Sequence, residues 1–238
     1  MHYDDWFESV FHKRVPTPGA NIATSWIDGD GTPWGRRAHV ALDEIELDYA
    51  KELLKEIKEN NVPGDLVEFG ISEGRWVNFL WELTEEIGLD RRIYGFDSFE
   101  GLPPRHPDYD TSNWYTGQYA CGWEQVRKNV KADERKRIKL VKGFFDKSLR
   151  GADAKLAETF CYVRIDSDLY ESAVHCLNYL APRLVDGAVL IFDDWPHRRG
   201  VGEQRAFEEW LPQVPHLRFE FLFYNTAGHF YTRVHREP

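Results

Sequence analysis

The chain has 238 residues, of which 42% are hydrophobic and 29% charged, and its formal net charge is −10 at pH 7. This length and apolar content suit one α/β domain with an appendage, and the negative charge argues against nucleic acid or an anionic membrane as a general partner. The chain contains no apolar run long enough for a membrane span, no signal-peptide pattern and no metal or redox spacing among its three cysteines. We therefore expect a cytoplasmic protein.

Residues 1–40 are rich in aromatic side chains but irregular, because prolines and glycines interrupt the apolar positions. Disordered tails lack aromatic residues, so we interpret this stretch as an arm that packs on the domain, on a second subunit or over a ligand. Residues 41–238 are predicted to form a single domain. Its first element is an amphipathic helix at Leu42–Glu59, which an Asn-Asn-Val-Pro-Gly segment terminates.

The segment Asp65–Gly74 is the feature around which the domain is organised. It begins with a short apolar run typical of a buried strand, and residues 75–87 carry apolar side chains at helical spacing. Gly70 and Gly74 lie between strand and helix, as at the start of a nucleotide-binding βαβ unit, although a tight turn without a ligand has the same pattern. The full G-x-G-x-x-G fingerprint is absent, which argues against a nicotinamide cofactor.

Strands and helices alternate along the rest of the chain. Four further strands are predicted at Arg92–Phe96, Ile138–Val141, Phe160–Ile165 and Ala188–Phe192. The helices between and after them are predicted at Trp123–Val130, Leu149–Glu158, Ser172–Leu184 and Val201–Leu211. Period-two runs at Arg218–Tyr224 and His229–Val234 predict a hairpin. The whole pattern indicates a mainly parallel sheet with an antiparallel edge and helices on both faces.

Two strand ends carry residues suited to a nucleoside. Asp97 closes the second strand, where an acidic side chain can accept both ribose hydroxyls, and the alternative is a capping or surface aspartate. At the end of the third strand, Gly143, Phe144 and Asp146 can border an adenine ring, and the alternative is a simple turn.

Acidic residues follow the fourth and fifth predicted strands. Asp166 and Asp168 come after the fourth strand, and Asp193 and Asp194 after the fifth. Neighbouring parallel strands lie about 4.8 Å apart, so these carboxylates can converge. Converging carboxylates repel one another, a divalent cation relieves the repulsion, and a site made of oxygen ligands suits Mg²⁺. The alternative is that these residues cap helices and loops.

Five segments in this order resemble the macrocin O-methyltransferase family, which includes sugar O-methyltransferases such as the noviose enzyme. They are GDLVEFG, YGFDSFEGLP, VKGFF, RIDSDLYES and VLIFDDW. The resemblance covers Pro63 to about Trp210. It implies a Rossmann-like class I methyltransferase fold with a seven-stranded, mainly parallel sheet and a C-terminal antiparallel hairpin, and the use of S-adenosylmethionine and Mg²⁺.

The resemblance also implies roles for individual residues. Glu68, Gly70 and Asp97 match cofactor positions, and Asp166, Asp193 and Asp194 match metal positions. The general base falls at Asp166 or Asp168. The full set of expected cofactor contacts is Glu68, Gly70, Ser72, Gly74, Asp97, Ser98, Gly143, Phe144 and Asp166.

The chain departs from related enzymes at two points. The family usually has a bulky aromatic, an arginine and paired glycines after the first glycine, whereas this chain has Ile71-Ser72-Glu73-Gly74. Catechol-type methyltransferases carry a lysine three positions after the first metal aspartate. Leu169 stands there in this chain, which excludes a lysine base at that point.

The expected reaction is in-line methyl transfer to a hydroxyl of a sugar or glycosylated small molecule. His197 is a second candidate base because it follows the Asp-Asp-Trp segment, although a solvated loop residue is the alternative. The aromatic loop Arg105–Trp123 is either an acceptor wall or lid, or a dimer contact. A homodimer is expected from the family. Other hypotheses are an oxidoreductase on the same fold and a non-catalytic homologue that binds the cofactor.

Overall fold

A computed structural model describes residues 34–195, 200–224 and 228–236, with side chains for 47–195, 200–222 and 228–236. Most of the predicted arm, residues 1–33, lies outside this range, and so does His197. Within the described part of the chain, no helix has the length and apolar character needed to cross a membrane.

Seven strands form one sheet. They are β1 (Asp65–Phe69), β2 (Ile93–Asp97), β3 (Ile138–Lys142), β4 (Phe160–Ile165), β5 (Leu184–Phe192), β6 (Leu217–Tyr224) and β7 (Phe230–Arg236). Their order across the sheet is β3-β2-β1-β4-β5-β7-β6. The first five strands are parallel, and β7 lies antiparallel to both β5 and β6. The predicted fold class, a mainly parallel sheet with a C-terminal antiparallel hairpin, is confirmed.

Helices connect the parallel strands and cover both faces of the sheet. They are α1 (Trp34–Glu59), α2 (Arg75–Ile87), α3 (Trp123–Asn129), α4 (Phe145–Ser148), α5 (Tyr170–Leu180) and α6 (Gly202–Trp210). Two short 3₁₀ turns occur at Asp153–Leu156 and Leu211–Gln213.

The core consists of two apolar layers separated by the sheet. Along β1, Val67 and Phe69 belong to one layer and Leu66 to the other, because successive side chains of a strand point to opposite faces. All six residues of β4 are buried, as expected for a central strand covered on both sides. The two layers hold the C-terminal ends of β1, β2, β4 and β5 at one edge of the sheet.

Two predicted elements differ most from the structure, and the helix predicted at Ser172–Leu184 is too long, because α5 ends at Leu180 and β5 begins at Leu184. Helix α1 begins at Trp34, inside the stretch interpreted as irregular, and after Gly35 no glycine or proline interrupts it as far as Glu59. The helix predicted at Leu149–Glu158 is wrong. Helix α4 ends before this range, at Ser148, and the range itself contains a turn, in which the amide of Gly151 donates to the carbonyl of Ser148 (3.1 Å), and the 3₁₀ turn at Asp153–Leu156.

Candidate active site

A cavity of about 780 Å³ opens at the C-terminal ends of the parallel strands, the edge where open α/β sheets bind ligands. Most of the predicted site residues line it: Gly70, Ser72, Asp97, Ser98, Phe144, Asp146, Asp166, Asp168, Asp193 and Asp194. Three predicted cofactor residues, Glu68, Gly74 and Gly143, do not line it. The structure therefore brings the two halves of the predicted site, nucleoside and acidic, into one cavity.

Gly70 places the turn after β1 in direct contact with the loop after β4. Its φ angle is +84°, and a Cβ added there would lie 1.7 Å from the carbonyl oxygen of Asp166. Any side chain at this position would force the two segments apart. Gly74 begins α2 with φ +80°, and a Cβ there would lie 2.3 Å from the side chain of Val130. Gly74 is therefore needed for packing beneath the turn.

Asp97 holds the glycine turn through its carboxylate. Its Oδ2 accepts hydrogen bonds from the amides of Ile71 (2.8 Å) and Ser72 (3.0 Å), and its Oδ1 accepts one from Phe99 (2.6 Å). Burial raises the pKa of Asp97, and these amide bonds oppose the rise. These three amides fill both acceptor positions of Oδ2 and one of the two on Oδ1, so the capping alternative is compatible with a bond from one ribose hydroxyl to Oδ1.

Three carboxylates converge beside the glycine turn. One oxygen each of Asp166, Asp168 and Asp194 lies within 4.8 Å of the others, and these three residues are called the acidic group below. Burial raises the pKa of all three, and repulsion adds to the rise, from Asp193 at Asp166 and from Asp168 at Asp194. The pKa of Asp168 is raised to about 7. Such a set of oxygens can take up a divalent cation, which would remove the repulsion.

Asp193, the third metal ligand expected from the sequence, is not part of this group of three. Its Oδ1 pairs with the guanidinium of Arg164 and lies 3.1 Å from Nε2 of His229. Both partners are cationic or able to become so, and they hold this oxygen toward β4 and β7. Asp168 takes the corresponding place in the group, although Asp193 still lines the cavity.

Arg164 forms a buried cationic centre beneath the acidic residues. Its guanidinium lies 4.1 Å from the ring centre of Trp76, and its Nε lies 3.6 Å from Oε1 of Glu68. Glu68 is 2% exposed, and burial raises its pKa to about 8, against the effect of Arg164. Glu68 is thus buried beside Arg164 and does not line the cavity.

The loop between β2 and α3 forms one wall of the cavity through Leu102, Gln118 and Tyr119. Asp110 anchors this loop: its Oδ1 accepts from the amide of Tyr170 and its Oδ2 from that of His106, both at 2.7 Å. Gln118 and Tyr119 of the aromatic loop thus lie at the cavity, and the choice between an acceptor wall or lid and a dimer contact stays a prediction.

Sequence reasoning missed Glu203, a residue of α6 that is 0% exposed. Its carboxylate accepts hydrogen bonds from the loops that carry Asp168 and Asp194. A single glutamate in the first turn of a helix is common on solvated surfaces, so the sequence offered no signal of burial. Arg164 opens the RIDSDLYES segment, but no role was inferred for it, because its partners Trp76, Glu68 and Asp193 lie on other elements of the fold.

Comparison with known proteins agrees with this geometry. The family described as Macrocin-O-methyltransferase (TylF) matches residues 17–210. The 8-demethyl-8-(2,3-dimethoxy-alpha-L-rhamnosyl)-tetracenomycin-C 4'-O-methyltransferase of Streptomyces olivaceus is 32% identical over 177 residues, 69% of this chain and 66% of that protein. The demethyldecarbamoylnovobiocin O-methyltransferase of Streptomyces niveus is 28% identical over 215 residues, 84% of this chain and 80% of that protein.

Solved structures show the same fold. The O-methyltransferase NovP superposes with a TM-score of 0.66 at 24% identity, covering 81% of this chain and 80% of its own. The calicheamicin methyltransferase CalS11 also has a TM-score of 0.66, at 22% identity, covering 91% of this chain and 93% of its own.

These matches decide against the oxidoreductase hypothesis. The family match spans the glycine turn, the acidic group and α6, so it includes every part of the cavity described above. The chain belongs to the macrocin O-methyltransferase family and is an S-adenosylmethionine-dependent O-methyltransferase.

Proposed function

We propose that the protein transfers a methyl group from S-adenosylmethionine to a hydroxyl of a sugar or glycosylated small molecule, with Mg²⁺ bound at the acidic group. The observation that carries this proposal is the convergence of Asp166, Asp168 and Asp194 next to the glycine turn, within one cavity. The glycine turn and the loop after β4 are in close contact at Gly70. The methyl donor and the acceptor hydroxyl would therefore meet at a fixed separation.

The nucleoside part of the cofactor is assigned to the β1–β2 side of the cavity. Asp97 would accept one ribose hydroxyl at the free position of Oδ1 while it holds the turn, and Ser72 and Ser98 flank it. Phe144 and Asp146, on the neighbouring wall, would face the adenine ring. Glu68 and Gly74 are assigned supporting roles beneath the turn, since neither lines the cavity.

Asp166 and Asp194 are assigned to the metal because they belong both to the expected ligands and to the observed group. When bound, Mg²⁺ would lower the pKa of an acceptor hydroxyl and fix its orientation. Asp168 is assigned as the general base. It adjoins Asp194 in the group of three carboxylates, and Asp166, the other residue at which the resemblance places the base, is assigned to the metal.

A sugar acceptor is supported by the chemistry of the cavity wall and by the names of the relatives. Aromatic and apolar side chains, including Tyr119 and Leu102, face the carboxylates across the cavity and suit the apolar face of a sugar ring. The relative from Streptomyces olivaceus is named for a rhamnosyl compound.

The test is methyl transfer from labelled S-adenosylmethionine to a panel of glycosides, with Mg²⁺ or with EDTA. Labelled product should form with at least one glycoside, and EDTA should abolish it. Asp194→Asn should lose turnover while binding of S-adenosylmethionine, followed by calorimetry, is retained. Turnover that persists in EDTA would contradict the requirement for a metal. If none of the glycosides yields labelled product, the hypothesis of a non-catalytic homologue would be favoured.

The roles of Asp168 and Asp193, as base or as metal ligand, can be distinguished by paired variants. If Asp168 is the base, Asp168→Asn should abolish turnover and leave Mn²⁺ affinity close to that of the unaltered protein. Asp193→Asn should weaken Mn²⁺ binding if Asp193 leaves Arg164 to become a ligand. A loss of Mn²⁺ affinity in Asp168→Asn alone would make Asp168 the third ligand and refute its assignment as base.

We further propose a cytoplasmic homodimer that acts on small molecules, without nucleic-acid or membrane partners. The net charge of −10 supports the last two points. Light scattering of the full chain, with and without residues 1–33, would test the dimer and the contribution of the arm.

A further inference from the structure

Glu203 is a carboxylate buried behind the acidic group. It lies in the first turn of α6, is 0% exposed and does not line the cavity. A carboxylate in such a place is costly, because it loses its hydration and adds negative charge near Asp194. Burial and that neighbour raise its pKa well above the ordinary value. Its hydrogen bonds therefore decide whether it can be tolerated.

These hydrogen bonds connect the two loops that carry the acidic residues. Oε1 of Glu203 accepts from the amide of Ser167 (2.9 Å) and from its hydroxyl (3.1 Å), and Oε2 accepts from the amide of Asp194 (3.2 Å). Ser167 stands between Asp166 and Asp168 in the loop after β4, and Asp194 is in the loop after β5. One side chain thus fixes the backbone on both sides of the group.

The first turn of α6 also contacts the aromatic loop. The amide of Gly202 donates to the carbonyl of Tyr109 (2.7 Å), and Gly202 has a φ of +55°. A Cβ at Gly202 would lie 3.4 Å from the carbonyl oxygen of Asp168. Three segments around the cavity therefore meet at the start of one helix: the β4 loop, the β5 loop and the loop that carries Tyr109.

We propose that Glu203 is a positioning residue: by bridging the amides of Ser167 and Asp194, it sets the separation between the β4 loop, which carries Asp166 and Asp168, and Asp194 in the β5 loop. The consequence for metal binding rests on the proposed function, because it requires a cation between these loops. The bridge itself does not depend on that function. Hydrogen-bonding residues behind metal ligands commonly change metal affinity by 10- to 100-fold.

The decisive variant is Glu203→Gln in the full chain. Its NH₂ group has nearly the size of the oxygen it replaces but cannot accept from an N–H, so one of the two amide bridges must break. We expect faster hydrogen exchange at the amide of Ser167 or Asp194 and Mn²⁺ binding weakened by roughly 10- to 100-fold. Ser167→Ala is the matched control, since it removes only the hydroxyl and keeps both amide bridges.

Hydrogen exchange of the unaltered protein tests the bridge even if Glu203→Gln fails to fold. The amides of Ser167 and Asp194 should exchange slowly although both lie in loops. Exchange as fast as at an exposed loop amide would overturn the proposal, and so would a folded Glu203→Gln protein with unchanged Mn²⁺ affinity. If the unaltered protein binds no Mn²⁺, the metal part of the proposed function fails, and a faster exchange in Glu203→Gln would still support the bridge.

Discussion

Asp97 both holds the glycine turn and lines the cavity. It accepts two amide hydrogen bonds from the glycine turn and one from Phe99, yet it still lines the cavity. The turn is therefore preorganised before any cofactor arrives, which lowers the ordering cost of binding.

Replacing Asp97 by alanine should weaken S-adenosylmethionine binding by roughly 10- to 100-fold, the range for hydrogen bonds to a charged group. The variant loses the ribose acceptor and loosens the turn at once. Asp65→Ala is the control, because Asp65 caps Arg92 at the opposite end of β1 and lies outside the cavity. Titration calorimetry of both variants measures the effect, and unchanged affinity in Asp97→Ala would exclude the ribose role.

Gly70→Ala tests the contact between the cofactor turn and the acidic loop. The added Cβ would meet the carbonyl of Asp166 at 1.7 Å and would also be strained at φ +84°. We expect a lower melting temperature together with weaker S-adenosylmethionine and Mn²⁺ binding. Gly122→Ala is a matched glycine control, because its φ is −63° and nothing lies within 4 Å of the added atom. Loss of cofactor affinity alone would show that the two sites are independent.

At the scale of elements, the loop between β2 and α3 is fixed at a few points. Asp110 is 7% exposed and joins this loop to the first residue of α5, and Arg205 of α6 lies 3.7 Å from the ring centre of Tyr109. These contacts fix the part of the loop that precedes Tyr119, and Tyr119 lines the cavity.

Asp110→Ala should therefore raise the KM for the acceptor and leave S-adenosylmethionine affinity unchanged, because the loop loses its attachment to α5 while the glycine turn is untouched. The neighbouring Asp108→Ala is the control, since Asp108 is exposed. Steady-state kinetics with the acceptor identified in the glycoside screen measures both. An unchanged KM would mean that the loop holds its position without Asp110.

The elements differ in how well their sequence predicts them. Strand β4 was predicted at its observed bounds, because five of its six residues are apolar or aromatic and only Arg164 interrupts the run. The start of α1 and the segment around Gly151 were not predicted correctly. Glycine and proline occur at helix starts, at helix ends and in turns, so their presence does not distinguish these cases. Helix-forming tendency near such residues depends on contacts that are distant in sequence.

The site was predictable to the level of loops and not of side-chain orientation. Carboxylates at the ends of β4 and β5 follow from the strand pattern, so Asp166 and Asp194 were found. Whether Asp168 or Asp193 completes the group depends on Arg164 and His229, which compete for Asp193. Such competition is set by three-dimensional neighbours and leaves no trace in residue spacing.

At the scale of the whole molecule, buried carboxylates make stability depend on pH. The pKa values of Asp168 and Glu68 are raised to about 7 and about 8, above their ordinary values of 3.8 and 4.5. Between the ordinary and the raised pKa values of these two groups, the folded state therefore binds more protons than the unfolded state. The free energy of unfolding consequently falls as pH rises from about 4 toward 8.

Calorimetry of the metal-free protein should accordingly show a melting temperature that decreases from pH 5 to pH 8. Glu68→Gln should reduce this slope at its upper end, since it removes one of the two groups without changing the size of the side chain. Added Mg²⁺ should restore stability most strongly near pH 8, where the carboxylates are ionised. A melting temperature that rises over this range would contradict the burial of these charges.

The contact of Gly70 with the carbonyl of Asp166 also bears on how this scaffold can be recombined with its relatives. Neither segment has room for a bulkier partner. A chimera that exchanges only the turn after β1 or only the loop after β4 would therefore risk a steric clash at this contact. Productive crossovers should keep both segments from the same parent. Exchange of acceptor preference is better sought in the loop between β2 and α3, which can be transplanted together with Asp110.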